Sequence, residues 1–205
     1  MALLVQKFGG TSVGSVERLQ AVARRIADCK EEGNDLVIVV SAMGHTTDEL
    51  TAKAKAISAA PPQREMDMLL STGEQVSIAL LSMALHELGV PAVSMTGAQV
   101  GIVTESAHGR ARILDVRTDR LRARLAEGQV VVVAGFQGTS LSRGGSSSEP
   151  LRFVFFFECF GDDDAILSLF CFFFYCMSEA SSNSQWNFQF SHFHTFDFEG
   201  LFTLS

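Results

Sequence analysis

An α/β fold on a mostly parallel central sheet is what the sequence predicts, and three observations carry that prediction. Leu36, Val37, Ile38, Val39 and Val40 form an apolar run without alternation, as do Val130 to Val133, and such runs mark strands covered on both faces. Between the runs lie segments with apolar residues at three- and four-residue steps, the period of helices. Three strand candidates end in turns of small residues: at Gly9 and Gly10, at Ser41 to Gly44, and at Gly135 to Gly138. Strands alternating with helices at this spacing pair in parallel through crossover helices.

In chain order, Leu3, Leu4 and Val5 open a strand that runs into Lys7, Phe8, Gly9, Gly10, Thr11 and Ser12. Val16, Leu19, Val22, Ala23 and Ile26 then give one face of an amphipathic helix closing near Gly33. After the strand 36–40, Thr46 and Glu49 read as a capping box for a helix running to about Ser58, where Pro61 and Pro62 break the chain. Residues 64–88 are helical in pattern, with Gly73 and Glu74 read as an interruption. A glycine beside a carboxylate is unusual in so apolar a run, but taken alone Glu74 reads as a solvated helix charge. Ala92 to Met95 is a strand candidate, and Thr96 to Ser106 reads as a loop with short extended pieces. Ala111 to Val116 is a further strand, and Thr118 to Glu127 a surface helix whose arginines read as a solvated face. Gln129 to Phe136 is the strongest strand.

The chain has 205 residues, 47% hydrophobic and 19% charged, enough for one domain with a sizeable core. Its net charge of −7 argues against nonspecific binding to nucleic acid or an acidic membrane surface. Residues 1–150 hold 15 of the 16 Lys and Arg and 16 of the 23 Asp and Glu, so most of the excess acid lies after residue 150. Cys29, Cys159, Cys171 and Cys176 have neither zinc-ligand spacing nor a disulfide framework. Met1 and Ala2 lead directly into a strand-like segment without the pattern of a signal peptide, so a cytoplasmic setting is expected.

The loop after the first strand has the makings of an anion site. Adjacent glycines let the backbone turn and leave N–H groups to face a ligand, and a following helix adds its positive end. Lys7 supplies a mobile charge suited to phosphate, and Thr11 and Ser12 supply hydroxyls. The lysine precedes the glycines, so this is not the P-loop pattern. A plain glycine turn beside an exposed lysine explains the same residues. If the three strands lie side by side, their turns line one crevice beyond the strands' carboxyl ends, where ligands of such sheets bind.

Those residues resemble the aspartokinases of the amino-acid kinase superfamily. The resemblance lies in Lys7 to Ser12, Ser41 to Gly44, Thr46 to Leu50, Ser71 to Glu74 and Gly135 to Gly138, with a short patch at Arg143, Gly144, Gly145 and Ser146. It implies a three-layer sandwich and transfer of phosphate from ATP, with Mg2+, to the side-chain carboxylate of L-aspartate. It implies that Lys7 lies against the transferring phosphate, with Gly9 and Gly10 donating N–H groups and Thr11, Ser12, Ser41 and Gly44 completing the phosphate side. Thr47 and Glu74 would hold aspartate, Glu74 taking its ammonium group, and Arg143, followed by Gly144, Gly145 and Ser146, would clamp a carboxylate. Phosphoryl transfer asks mainly for positioning and neutralised charge.

The chain also departs from the family pattern. Only Thr139, Ser140, Leu141 and Ser142 separate the Gly135–Gly138 turn from Arg143, where the family has a longer hairpin. Ser147 stands where the family uses a catalytic aspartate. Residues 1–146 are therefore expected to be the amino-terminal part of a truncated kinase domain, and 147–205 a divergent tail, poorly ordered or not family-derived. Fifteen of the 17 Phe lie after residue 150, which predicts aggregation. Ala165 to Met177, at 13 residues, is shorter than the ~20 a helix needs to span a bilayer. His192 and His194 lack companion ligands at metal-site spacing. Three readings of function stay open: an aspartokinase of impaired activity, a fragment that binds aspartate or pairs with full-length subunits as a homo- or hetero-oligomer, and a kinase for another carboxylate or carbamate. No nucleic acid or membrane is expected as partner.

Overall fold

The computed structural model describes residues 2–106, 113–140, 152–155 and 186–190. The first half of the chain alternates strand and helix: β1 (Leu3–Phe8), α1 (Val16–Glu31), β2 (Asp35–Val40), α2 (Thr46–Ile57), α3 (Gln63–Glu87) and β3 (Ala92–Met95). Shorter elements follow: α4 (Gly97–Val100), β4 (Ile102–Thr104), β5 (Ile113–Val116), α5 (Asp119–Ala126), β6 (Val130–Ala134) and β7 (Gln137–Ser140). Two strands, β8 (Arg152–Phe155) and β9 (Trp186–Phe190), come from the segment after residue 146.

The main sheet has the order β3-β6-β2-β1-β9, with every pairing parallel. Successive side chains of a strand point to opposite faces, and both faces here are apolar, which is why the strands read as unbroken apolar runs. Leu36, Ile38, Val40, Val130 and Val132 pack with Leu19, Ala23 and Ile26 of α1 and Ile78, Leu81 and Leu85 of α3. On the opposite face Val37, Val131 and Val133 pack with Leu121 and Leu125 of α5 and with Val100 and Ile102. Helix, sheet and helix thus form three layers, as the α/β prediction requires. A second sheet, in the order β5-β4-β7-β8, mixes antiparallel and parallel pairs.

The structure corrects four readings of the sequence. Thr46 is the first residue of α2 rather than its cap. His45 is the cap and makes no side-chain cap bond, while Thr46 Oγ1 donates back to the Met43 carbonyl at 2.7 Å. Helix α3 runs unbroken through Gly73 and Glu74. The strand read as Gln129 to Phe136 stops at Ala134, and Gln137 and Gly138, read as turn, begin β7 in the second sheet. The region 96–106 begins with a short helix, opened by a capping box between Thr96 and Gln99, where a loop was expected; β4 after it is the short extended piece expected there.

α3 is the one helix among the described residues long and apolar enough to cross a membrane. It is used here as a core helix: Ile78, Leu81 and Leu85 are buried against α1 and the sheet, while Val76, Leu80 and Met83 are exposed on its other side.

Candidate functional site

Register brings the three small-residue turns together. Phe8 pairs with Val40, and Val40 with Ala134, so β1, β2 and β6 end level with one another. Parallel strands that end level must release their following turns on the same side of the sheet, and hydrogen bonds then join the turns. Ser41 N–H donates to the Phe8 carbonyl at 3.1 Å, Gly44 N–H to the Gly10 carbonyl at 3.0 Å, and Gly135 N–H to the Val40 carbonyl at 2.9 Å.

The approach is close enough to demand glycine at residue 10. A Cβ there would lie 2.7 Å from the Ala42 carbonyl oxygen, a backbone atom that cannot swing aside. Gly44, at φ +51°, turns the second loop back toward the first in a conformation that disfavours a side chain. Lys7 is half-buried, and its Nζ lies 3.9 Å from where a Gly9 Cβ would sit, so the ammonium folds over the loop. Gly9 and Gly10 N–H groups make no turn or loop backbone bond among the described residues, whereas Ser12 N–H is spent on the Gly9 carbonyl at 2.9 Å. Thr11 is exposed, and its carbonyl accepts from the Arg18 guanidinium at 2.7 Å. The positive end of α1 is set back from the glycines: the helix begins at Val16, and Ser15 Oγ caps it by accepting from Arg18 N–H at 3.3 Å. The anion-binding parts closest together are therefore Lys7 and the glycine loop.

Helix α3 supplies the other chemistry. A Cβ at Gly73 would meet Ala42 Cβ at 3.0 Å and Thr46 Cγ2 at 3.4 Å, so the missing side chain lets α3 lie against the turn after β2. That contact sets the next residue, Glu74, beside the Ala42 backbone. Glu74 is 2% exposed, which overturns its reading as a solvated helix charge. Burial pushes its carboxyl up to about 7, against the opposing pull of its own N–H, the Gln137 side chain and the Ala42 N–H. Gln137, also buried, donates from Nε2 to the Ser71 carbonyl at 2.7 Å. The site thus has a cationic, N–H-rich end around Lys7 and an acidic end at Glu74, with the turn 41–44 between them.

Thr47 sits half-buried in the first turn of α2, with its carbonyl accepting from Thr51 Oγ1 at 2.8 Å. Ser41 is half-buried at the end of β2. Of the expected residues, Lys7, Gly9, Gly10, Ser41, Gly44 and Glu74 gather beyond the carboxyl ends of the central strands β1 and β2. Arg143, Gly144, Gly145 and Ser146 lie outside the described residues. Sequence reasoning missed the contact of Gln137 and Ala42 with Glu74, because residues so far apart in the chain carry no periodic signal. A conformational signal does mark the neighbourhood: Phe136 holds φ +54°, costly for an aromatic residue, directly before Gln137.

A family model described as the amino acid kinase family matches residues 2–167. The chain is 61% identical over 155 residues to an aspartokinase of Geobacillus stearothermophilus, covering 72% of this chain and 38% of that protein. It is 59% identical to aspartokinase 2 of Bacillus subtilis over the same length and shares. The chain therefore spans about two fifths of the length of these curated relatives. Among solved structures, aspartate kinase from Synechocystis is similar at 61% identity with a TM-score of 0.59, over 69% of this chain and 22% of that one. Aspartokinase III of E. coli, solved with aspartate and ADP, shares the fold at 21% identity and a TM-score of 0.60, over 75% of this chain and 43% of that one.

Proposed function

The chain belongs to the amino acid kinase family, and on that premise we propose that it is the amino-terminal part of an aspartokinase, built to present the aspartate side-chain carboxylate to the terminal phosphate of ATP. The observation that carries this reading is the joining of two opposite binding ends across one short turn. Lys7 lies over Gly9 at one end, and the buried Glu74 stands at the other. An anionic phosphate suits the first end, and the ammonium of an amino acid suits the second.

The nucleotide's phosphate end fits the residues present, because the loop needs glycine at residue 10 and brings a lysine amine over it. ATP supplies the electrophilic phosphorus. A substrate carboxylate oxygen forms the new P–O bond as the bond to the ADP oxygen breaks, leaving an acyl phosphate and ADP. The protein's part is to hold and neutralise. Lys7 offsets charge on the transferring group, Gly9 and Gly10 offer N–H donors, and Glu74 and Thr47 orient the amino acid. Arg143, with Gly144, Gly145 and Ser146, is proposed to clamp the substrate's carboxylate. Among the described residues no three His, Cys, Asp or Glu converge as a metal site.

We further propose that the chain by itself turns over poorly. Ser147 stands where the family pattern has its catalytic aspartate. The segment 147–205 remains a candidate for a reading-frame change or misjoined gene, and sequencing the coding region tests that directly. A coupled assay for aspartate-dependent ADP formation is expected to give little or no turnover in a cytoplasm-like buffer. Rates on the order of 1–100 per second would overturn the proposal of impairment. The second reading, an inactive fragment that binds aspartate or pairs with full-length subunits, rests on the intact Lys7-to-Glu74 wall. Calorimetry with aspartate and co-purification with an intact aspartokinase distinguish it.

A further inference from the structure

Two acceptor atoms at the acidic end of the site, Glu74 Oε2 and Gln137 Oε1, are buried and have no hydrogen-bond partner among the described residues. Unmade bonds of this kind are costly and call for something that supplies the donors. The orientation of the Gln137 amide is decided by its neighbour. The Ser71 carbonyl can only accept, so Nε2 faces it at 2.7 Å and Oε1 points the other way. Ser71 lies one helical turn before Glu74 on α3, so the same amide that grips the helix reaches the Glu74 carboxyl. Gln137 is also held from behind: a Cβ at Gly97 would lie 1.9 Å from the Gln137 carbonyl oxygen, so α4 is packed directly on its backbone. The amide is thereby fixed in place before any ligand arrives.

The chemistry of the pair narrows what it takes. A water molecule offers two donors but no charge to set against the carboxylate. A divalent cation needs more oxygen ligands, and no converging set of three stands among the described residues. A primary ammonium group brings three N–H donors and a positive charge, enough for both oxygens with one donor to spare. We propose that Gln137 is a second binding residue for the amino group of the substrate, its Oε1 and Glu74 Oε2 together forming a two-acceptor niche for a primary ammonium. This rests on the reading of the site as an amino-acid site and adds the residue that makes it selective for an amino acid over the corresponding simple acid.

The test uses the full 205-residue chain, labelled with 13C at its glutamate carboxyls and titrated with L-aspartate and with succinate, the same dicarboxylate without the amino group. The wild type is expected to bind L-aspartate about tenfold or more tighter than succinate. Gln137→Met is expected to cut that ratio about threefold or more, with succinate affinity unchanged. An unchanged ratio in Gln137→Met overturns the inference and leaves water as the partner of both oxygens. Should the wild type bind neither dicarboxylate, the aspartate reading itself fails, and ammonium chloride decides the niche alone. Ammonium must then lower the titration midpoint of the Glu74 carboxyl in the wild type and not in Gln137→Met, and the absence of that shift overturns the inference.

Discussion

The carbonyl of Gly10 accepts the N–H of Gly44 at 3.0 Å, and this one bond ties the loop after β1 to the loop after β2. It is made possible by a bare Cα at residue 10, and it sets the distance between the Lys7 end of the site and the turn that leads to Glu74.

Gly10→Ala should therefore damage both stability and site. Its Cβ would fall 2.7 Å from the Ala42 carbonyl oxygen, and neither loop can yield without breaking the Gly10–Gly44 bond. A loss of about 1–3 kcal/mol is expected in urea unfolding. Gly33→Ala is the control: no atom lies within 4 Å of its Cβ, and only the cost of φ +85° remains, about 1 kcal/mol. Equal losses in the two variants would show that close approach at residue 10 does not matter.

Gly97→Ala is expected to be the more damaging change. Its Cβ would sit 1.9 Å from the Gln137 carbonyl oxygen, so α4 and β7 must separate. The expected cost is about 3 kcal/mol or more, and the Gln137 amide should lose its grip on Ser71. A variant within about 0.5 kcal/mol of the parent protein would contradict this packing.

Glu74 makes stability depend on pH in a definite direction. Its folded-state carboxyl is raised to about 7 from an ordinary value of 4.5. Between those values the unfolded chain has lost the proton and the folded chain still holds it. The contribution of Glu74 to stability is thus greatest below 4.5, falls as pH rises to about 7, and is level beyond. The whole effect is on the order of 3 kcal/mol. Glu74→Gln, neutral at every pH, should flatten that part of the profile, which denaturation midpoints at pH 5 and pH 8 will show. A profile that keeps its slope in the variant would place the titration elsewhere.

Ammonium binding at Glu74 carries the opposite sign. The ligand needs the ionised carboxylate, so aspartate affinity should increase as pH rises toward about 7 and release a proton from the protein below it. Calorimetry in buffers of different ionisation enthalpy reads that proton. Binding with no proton release at pH 6 would exclude Glu74 as the ammonium partner.

Lys7→Met tests the other end. Removing one charge-assisted contact to a phosphate should weaken ATP binding by about ten- to a hundredfold, with unfolding stability little changed because Lys7 is half-buried and the change keeps the stem's volume. Unchanged ATP affinity would remove Lys7 from the phosphate site.

Much of this protein was legible in its residues. Unalternating apolar runs at 36–40 and 130–133 announce strands covered on both faces, and the three-four spacing of Val16, Leu19, Ala23 and Ile26 announces the helix that covers one of them. These are local, periodic signals, and the glycine turns that follow β1, β2 and β6 are local signals too. Local signals therefore set the α/β class, the composition of each turn and, through motif order, the family. Tertiary structure decided the rest. Only strand register levels Phe8, Val40 and Ala134 so that the turns meet, and only the touch of Gly73 on Ala42 buries Glu74 and gives its carboxyl a proton near neutral pH. Gln137 reaches Ser71 and Glu74 across more than sixty residues of chain, a contact that exists because β6 ends and β7 begins between two sheets. Desolvation and long-range hydrogen bonds are properties of neighbours in space, and no spacing along the chain encodes them.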